Sequence, residues 1–167
     1  MATFTSQTEA DRHYMREALA ERSATDDPKA KIVPQSAVGS VIADREGEIA
    51  RSANVLPPIF RDLFDTGVRQ VSDVDRYHFI EHAERAAIFK ALRSRTQLSN
   101  ATIYCTRFPC SDCARAILFS GIKRAVFLGG FAGEKRWLPS QRAALRILRD
   151  GGVVVRYLRL DEEPQIK

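Results

Sequence analysis

The sequence predicts an α/β fold in which helices flank a mixed β-sheet, and three observations support this prediction. Two short strand-like segments surround a glycine-containing turn at 44–47, which is the pattern of a hairpin. After the hairpin, strand-like and helix-like segments alternate, as in parallel strands joined by crossover helices. Of the 167 residues, 44% are apolar and 28% are charged, which is enough to fill one core and coat its surface. We therefore expect a single domain over 1–167, in which 1–35 is an N-terminal helix and loop.

The first half of the chain is predicted to form a helix, the hairpin and a second, short helix. Thr8 is a suitable helix cap, and Met15 and Ala18 share one face of the segment that follows it. Pro57 and Pro58 interrupt the pattern after the hairpin. The predicted elements are a helix over 8–21, a polar loop over 23–31, strands over 36–43 and 48–53, and a short helix over 59–64.

The second half of the chain alternates between helical and extended segments. Its first helix starts at or just before His82 and contains strong helix formers such as Ala86 and Ala87. Pro109 ends a strand, and Gly151 ends the last helix. The predicted elements are a helix over 81–95, a strand over 101–106, a helix over 111–120, a strand over 125–128, a helix over 138–150 and a strand over 153–158.

The charge pattern favours no single class of macromolecular partner. Lysine and arginine outnumber aspartate and glutamate by 26 to 21, which gives a net charge of +5. The arginines are spread from Arg12 to Arg159 with acidic residues between them, as on a solvated mixed-charge surface. Nucleic acid is therefore disfavoured as a partner but is kept as an alternative. Small phosphorylated ligands are also compatible with this charge pattern. No apolar run approaches the ~18 residues of a membrane span, and residues 1–7 lack the apolar core of a signal peptide. We expect a cytoplasmic location without membrane contact.

The three cysteines, Cys105, Cys110 and Cys113, lie within nine positions of one another. An odd and clustered set of cysteines does not form a disulfide framework. In a chain without an export signal, a C-x-x-C pair indicates either a metal site or a redox motif.

The residues most informative about chemistry are His82, Glu84, Cys110 and Cys113, arranged as H-x-E followed by P-C-x-x-C. One imidazole and two thiols leave a tetrahedral zinc ion one ligand short, and a catalytic zinc needs that open position in order to acidify a water molecule. Both groups are predicted at helix starts, where the positive helix end favours thiolates. Glu84 is close enough to His82 to move a proton at the site without being a ligand. The pattern therefore predicts a catalytic zinc site.

This arrangement is the signature of zinc-dependent nucleobase deaminases. Between about Val38 and Leu158 the sequence resembles the cytidine and deoxycytidylate deaminase family, and the deoxycytidylate branch most. The phrases that carry the resemblance are Glu81-His82-Ala83-Glu84-Arg85-Ala86-Ala87-Ile88, Thr102-Ile103-Tyr104-Cys105-Thr106-Arg107-Phe108-Pro109-Cys110 and Cys113-Ala114-Arg115-Ala116-Ile117. The resemblance implies a three-layer cytidine-deaminase-like fold with a central mixed five-stranded sheet flanked by helices. It further implies zinc on the His and the two Cys, proton transfer by Glu84, and a homo-oligomer.

The resemblance also implies the substrate, a cytosine nucleotide or nucleoside, with dCMP first. Asp112 stands where guanine and transfer-RNA adenosine deaminases usually carry Met, which favours a pyrimidine. Family members commonly contact substrate through an Asn after the second strand; Asn54 is in that place here, without a flanking glycine. We expect Asn54, Ala83, Arg107 and Phe108 to bind the substrate, with Arg107 at its phosphate. The alternatives are another amino-heterocycle (guanine, a pteridine or a riboflavin precursor), a base in single-stranded nucleic acid, and a zinc module without activity.

Five neighbouring residues are expected to have lesser roles. Cys105, in mid-strand, is expected in the core, because a fourth protein ligand would close the open position of the zinc. Glu81 is expected at the surface or in a hydrogen bond, and His78 in a loop near the site or at the surface. Phe131 and Trp137 either wall the base or belong to the core.

Overall fold

A mixed five-stranded sheet forms the centre of the computed structural model, which describes residues 4–65, 77–131 and 135–160. The strands are β1 (Gly39–Ala43), β2 (Glu48–Ala53), β3 (Thr102–Cys105), β4 (Arg124–Leu128) and β5 (Val154–Leu158), in the order β2-β1-β3-β4-β5. Strand β1 is antiparallel to both β2 and β3, whereas β3, β4 and β5 are parallel to one another. The predicted hairpin and the predicted mixed sheet are both confirmed.

The hairpin turn between β1 and β2 is closed by Asp44. The carboxylate oxygen Oδ1 of Asp44 accepts hydrogen bonds from the backbone N–H groups of Glu46 (2.8 Å) and Gly47 (3.2 Å). Gly47 has a φ of 138°, which residues with a side chain rarely adopt. The turn therefore needs its glycine, and this local signal made the hairpin predictable from sequence.

Helices cover both faces of the sheet and so produce three layers. The helices are α1 (Gln7–Glu21), α2 (Pro58–Asp65), α3 (Ala83–Arg93), α4 (Ser111–Phe119) and α5 (Leu138–Asp150). On one face, Ala87 of α3, Ile117 of α4 and Leu148 of α5 join a core cluster with Ile103 and Phe127 of the sheet. Helix α1 covers the opposite face. No helix among the described residues is long and apolar enough to cross a membrane.

Helix α1 packs very closely against the sheet. Its buried Met15 and Ala18 lie in a second core cluster with Val41 and Val126. A Cβ atom placed on Gly39 would come within 1.9 Å of the backbone oxygen of Ala18, so only glycine permits this approach. The helix begins one residue before the predicted Thr8, at Gln7, because the Ser6 side chain accepts a hydrogen bond from the Glu9 N–H and caps the helix.

A buried ionic cluster, which we call the Asp11 cluster, ties α1 to the sheet. Both carboxylate oxygens of Asp11 accept hydrogen bonds from the guanidinium of Arg124, at 2.8 and 2.6 Å. The hydroxyl of Tyr104 and the amide of Gln7 also donate to Asp11, each at 3.1 Å. The sequence analysis did not predict this cluster, because Asp11 and Arg124 are 113 positions apart.

Candidate metal centre and pocket

Two helix starts place the predicted zinc-binding residues next to one another. His82 precedes α3 in an extended conformation, with φ −70° and ψ 147°, and Cys110 precedes α4 with φ −77° and ψ 172°. Cys113 lies in the first turn of α4 and is fully buried. The N-terminal ends of both helices, which carry partial positive charge, are therefore at the site and favour anionic groups there. The helix-start positions expected from sequence are confirmed.

The donor atoms of these residues are spaced as zinc requires. The Nδ1 atom of His82 lies 3.6 Å from the Sγ of Cys110 and 3.4 Å from the Sγ of Cys113. Zinc–nitrogen and zinc–sulfur bonds of ordinary length in a tetrahedron put N and S about 3.6 Å apart. One potential ligand atom from each residue lies within 4.8 Å of both others. The donor set and its spacing thus fit a zinc ion with one position left open.

The electrostatics of the thiols also favour a cation. A hydrogen bond from Cys113, helped by the nearby His82, lowers the pKa of Cys110 to about 4. The same hydrogen bond and burial raise the pKa of Cys113 well above its usual range. Two neighbouring thiols cannot both lose their protons unless a positive charge offsets the repulsion. Zinc supplies that charge, since thiolates are its ligands.

Glu84 is enclosed beside this group, in the first turn of α3. The residue is 3% exposed. Burial raises its pKa, because a carboxylate loses hydration when it is removed from water. Among the described residues, the group with metal-ligand spacing contains His82, Cys110 and Cys113 but not Glu84. A buried carboxyl with a raised pKa that is not a ligand is chemically suited to exchanging protons.

Polar side chains form hydrogen bonds with the backbone at the starts of α3 and α4. Ser140 of α5 accepts a hydrogen bond from the backbone N–H of Ser111 at 2.9 Å, and its hydroxyl donates to the Ser111 hydroxyl at 3.1 Å. Glu81 accepts from the backbone N–H of His82 at 3.0 Å and from the guanidinium of Arg85. Glu81 is therefore a hydrogen-bonding residue, as predicted from the sequence. These contacts hold the residues that flank the metal ligands.

A pocket opens beside the metal centre. The described residues that line it are Asp27, Lys29, Ser36, Val38, Asn54, Tyr77, Ile80, His82, Ala83, Glu84, Arg107, Phe108, Cys110, Trp137 and Gln141. Each of the residues predicted to bind substrate, namely Asn54, Ala83, Arg107 and Phe108, is in this lining. The structure therefore brings together the predicted ligands and the predicted substrate-binding residues at one place.

Asn54 is a buried residue of the pocket lining that makes several hydrogen bonds. Its Oδ1 accepts from the Val38 N–H at 2.8 Å and from the Thr25 hydroxyl at 3.0 Å. Its Nδ2 donates to the carboxylate of Asp27 at 3.0 Å and to the backbone oxygen of Ser36 at 3.3 Å. The buried amide thus fastens the loop at 25–38 to the end of β2, an arrangement that the sequence did not predict.

The other predicted neighbours of the site divide into two groups. Phe108 is 4% exposed and packs edge-on against Phe127 and Phe131, both at 4.9 Å between ring centres. Trp137 lines the pocket, whereas Phe131 is not in the lining. Cys105 is fully buried with its Sγ 3.4 Å from the Ser40 hydroxyl, which confirms its place in the core. His78 is exposed and does not line the pocket. Of its two predicted positions, near the site or at the surface, the structure shows the surface one.

Several residues that line the pocket were not predicted from the sequence. Asp27, Lys29 and Ser36 belong to a loop whose composition is merely polar, and no local signal marks them. Gln141 did carry a signal, because it shares the spacing i, i+3, i+7 with the buried Ala144 and Leu148. An amide in the apolar stripe of a helix needs an explanation, and here the pocket provides it.

The comparisons with known proteins agree with this geometry. The family model described as "Cytidine and deoxycytidylate deaminase zinc-binding region" matches residues 8–129. Deoxycytidylate deaminase of Saccharomyces cerevisiae is 29% identical over 133 residues, covering 77% of this chain and 40% of the relative. Deoxycytidylate deaminase of Enterobacteria phage T2 is 50% identical over 74 residues, covering 44% of this chain and 36% of the relative.

A solved structure shares the fold. The dCMP deaminase from the cyanophage S-TIM5, in complex with dCMP and dUMP, superimposes with a TM-score of 0.69 at 20% identity. The match covers 92% of this chain and 99% of that one. The cytidine-deaminase-like fold predicted from the sequence is thus confirmed. The chain matches only about two fifths of the length of the yeast relative and little more than a third of the phage one.

Proposed function

Because the chain belongs to the cytidine and deoxycytidylate deaminase zinc-binding family, we propose that it hydrolyses the amino group of a cytosine nucleotide or nucleoside, with dCMP as the first choice. Water and the cytosine ring give the uracil ring and ammonia. The observation that carries the proposal is the placement of His82, Cys110 and Cys113 at metal-ligand spacing, with the buried Glu84 in the pocket that His82 and Cys110 also line.

Each of these four residues has a distinct role in the proposed reaction. His82, Cys110 and Cys113 would hold the zinc, which would supply a water molecule acidic enough to react near neutral pH. Glu84 would accept one proton from the attacking water and deliver it to the ring nitrogen next to the reacting carbon. It would then carry a second proton, from the hydroxyl added to that carbon, to the amine, which leaves as ammonia. Its enclosure favours this role, because a carboxyl shielded from solvent retains the transferred proton inside the site.

The substrate is proposed to lie against four wall residues. Ala83 is the fully buried first residue of α3, between His82 and Glu84 in the pocket lining, and we propose that it contacts the base. Phe108 offers an aromatic surface, and Arg107 offers a guanidinium suited to a phosphate. Asn54 binds substrate by exchanging its longest hydrogen bond, the 3.3 Å contact with the Ser36 backbone.

Two observations favour a pyrimidine nucleotide over the other amino-heterocycles. The yeast and phage relatives are named deoxycytidylate deaminases, and Asp112 precedes Cys113 in this chain. The scattered arginines give single-stranded nucleic acid little support, since such partners require a clustered basic surface. We further propose that residues 1–167 fold as one domain and that the protein assembles into a homo-oligomer, as the family resemblance implies.

Ammonia release by the purified, zinc-analysed protein tests the proposed function. The panel contains dCMP, cytidine, deoxycytidine, cytosine, guanine and adenosine. Release from dCMP, with slower or no release from the purines, is the expected result. Release from guanine alone contradicts the pyrimidine assignment, and silence across the panel with one zinc per chain contradicts the proposed substrate class. Salt-sensitive binding of an oligonucleotide would instead support a nucleic-acid substrate.

A further inference from the structure

Gln141 is a buried polar residue whose side-chain carbonyl oxygen, Oε1, has no hydrogen-bond partner in the described part of the chain. It lies in the first turn of α5 and is 4% exposed. The same side chain lines the pocket next to the metal centre. An unsatisfied acceptor therefore stands at the wall of the proposed active site.

This arrangement is unfavourable for the fold alone. A buried carbonyl without a donor loses its hydration and gains nothing in return. The neighbouring buried positions of the helix, Ala144 and Leu148, are apolar and carry no such cost. The enclosed carbonyl of Gln141 is therefore suited to a hydrogen-bond donor that arrives with a ligand. Polar residues at ligand-binding sites often lower the stability of the fold in this way.

Gln141 is also held near the metal ligands. Its neighbour Ser140 is hydrogen-bonded to the backbone of Ser111, the residue directly after Cys110. That bond fixes the first turn of α5 against the first turn of α4. Gln141 follows Ser140 directly and lines the same pocket as Cys110.

We infer that Gln141 binds the exocyclic amino group of the substrate: its Oε1 accepts a hydrogen bond from an amine N–H and so aligns the amidine with the metal centre. This inference rests on the proposed function, because it assumes an amino-heterocycle in the pocket. The amine is the donor that every substrate of the proposed reaction carries on its reacting edge, and it supplies what the enclosed carbonyl lacks.

Gln141 is expected to bind the substrate and the product differently. The product carries a carbonyl oxygen where the substrate carried its amine, so Oε1 then faces a second acceptor instead of a donor. The product is therefore held less tightly than the substrate. Gln141 contributes specificity to the site by favouring the amino form of the heterocycle over the oxo form.

The test compares Gln141→Met with Leu148→Met, a matched substitution in the buried face of the same helix but outside the pocket lining. Methionine keeps the length of glutamine and removes its hydrogen bonding. For Gln141→Met we expect kcat/KM for dCMP to fall about tenfold or more, mainly through KM, since one hydrogen bond is lost. We expect zinc content to be unchanged, Tm to stay level or rise, and the ratio of the product inhibition constant to KM to fall. Leu148→Met should keep the kcat/KM of the unmodified chain.

The possible failures are distinguishable. An active unmodified chain combined with unchanged kcat/KM in Gln141→Met overturns the role of Gln141 and leaves the deaminase function standing. A fall in Tm or in zinc content for Gln141→Met also overturns it, because the amide would then be structural. An unmodified, zinc-loaded chain that is silent across the substrate panel overturns both the proposed function and the inference.

Discussion

Two buried carboxyl groups lie on opposite faces of the sheet, and their surroundings differ in one decisive respect. Asp11, under α1, is met by the guanidinium of Arg124 and by the donors of Tyr104 and Gln7. Burial alone would raise its pKa, yet these hydrogen bonds outweigh it and lower the pKa. Glu84, in α3, is also buried, but burial dominates and raises its pKa. The pKa values of these two buried carboxyl groups are thus shifted in opposite directions.

The two polar clusters differ in whether the protein itself supplies partners for their charged and polar groups. The Asp11 cluster satisfies its own charges and needs nothing from outside. The metal centre offers one imidazole and two thiols at metal-ligand spacing. Among the described residues, the amide oxygen of Gln141 in the pocket beside it has no hydrogen-bond partner. A cluster that is complete stabilises the fold, whereas an incomplete one is suited to receive a metal ion and a ligand.

The largest effect is expected from removing a metal ligand. Cys110→Ala should lose bound zinc and with it all measurable ammonia release, because two protein ligands hold the ion far less tightly than three. Metal analysis after dialysis checks this expectation. Cys105→Ala is the control, since Cys105 is a cysteine of the same segment that is buried in the core instead of lying at the metal centre. Full zinc occupancy in Cys110→Ala would contradict the assignment of this ligand.

Replacing Glu84 with glutamine should separate catalysis from metal binding. We expect Glu84→Gln to retain its zinc and to lose about 10²- to 10⁴-fold in kcat, the usual contribution of a positioned proton carrier. Steady-state ammonia release alongside metal analysis measures both quantities. Turnover near that of the unmodified chain would show that another group carries the proton. An inert unmodified chain whose zinc also survives this substitution would fit a non-catalytic zinc module.

The opposite pattern is expected when the Asp11 cluster is broken. Asp11→Asn leaves the half-buried Arg124 without its counter-charge, which we expect to lower the free energy of unfolding by about 2 kcal/mol. Zinc content and kcat per folded molecule should be unchanged. Urea denaturation provides the measurement. Asp150→Asn is the control, because its pair with Arg146 is largely exposed and should contribute little. A loss of activity at full folding would contradict the separation of the two clusters.

The smallest predicted effect is the pH dependence of the difference in free energy of unfolding between the unmodified chain and Asp11→Asn. The pKa of Asp11 is lowered in the folded chain from a usual value of 3.8, so its stabilising contribution is complete above that value. The contribution is lost as the pH falls through the lowered pKa of the folded state. The stability gap between the unmodified chain and Asp11→Asn should therefore be full at neutral pH and narrow in strong acid. Urea titrations at the two pH values test this sign, and a gap that widens in acid would refute it.

The sequence allowed much of the secondary structure to be predicted, because the signals are local. The hairpin followed from its glycine turn, and the helix over 138–150 was predicted to the residue. The start of α1 was placed one residue late, since both Ser6 and Thr8 are suitable caps and only the hydrogen bond to Glu9 distinguishes them. The short helix predicted over 59–64 extends over Pro58–Asp65.

The metal-binding motifs could be predicted from the sequence, since zinc prefers His and Cys and the ligand spacing lies in two short stretches. The loop that lines the pocket, the hydrogen bonds of Asn54 and the place of Gln141 in the lining became visible only in the folded chain. The folded chain also pairs Asp11 with Arg124, 113 positions away. The physical reason is the range of the interactions: turns, caps and metal motifs are written in neighbouring residues, whereas the satisfaction of a buried polar group depends on partners that only folding brings near.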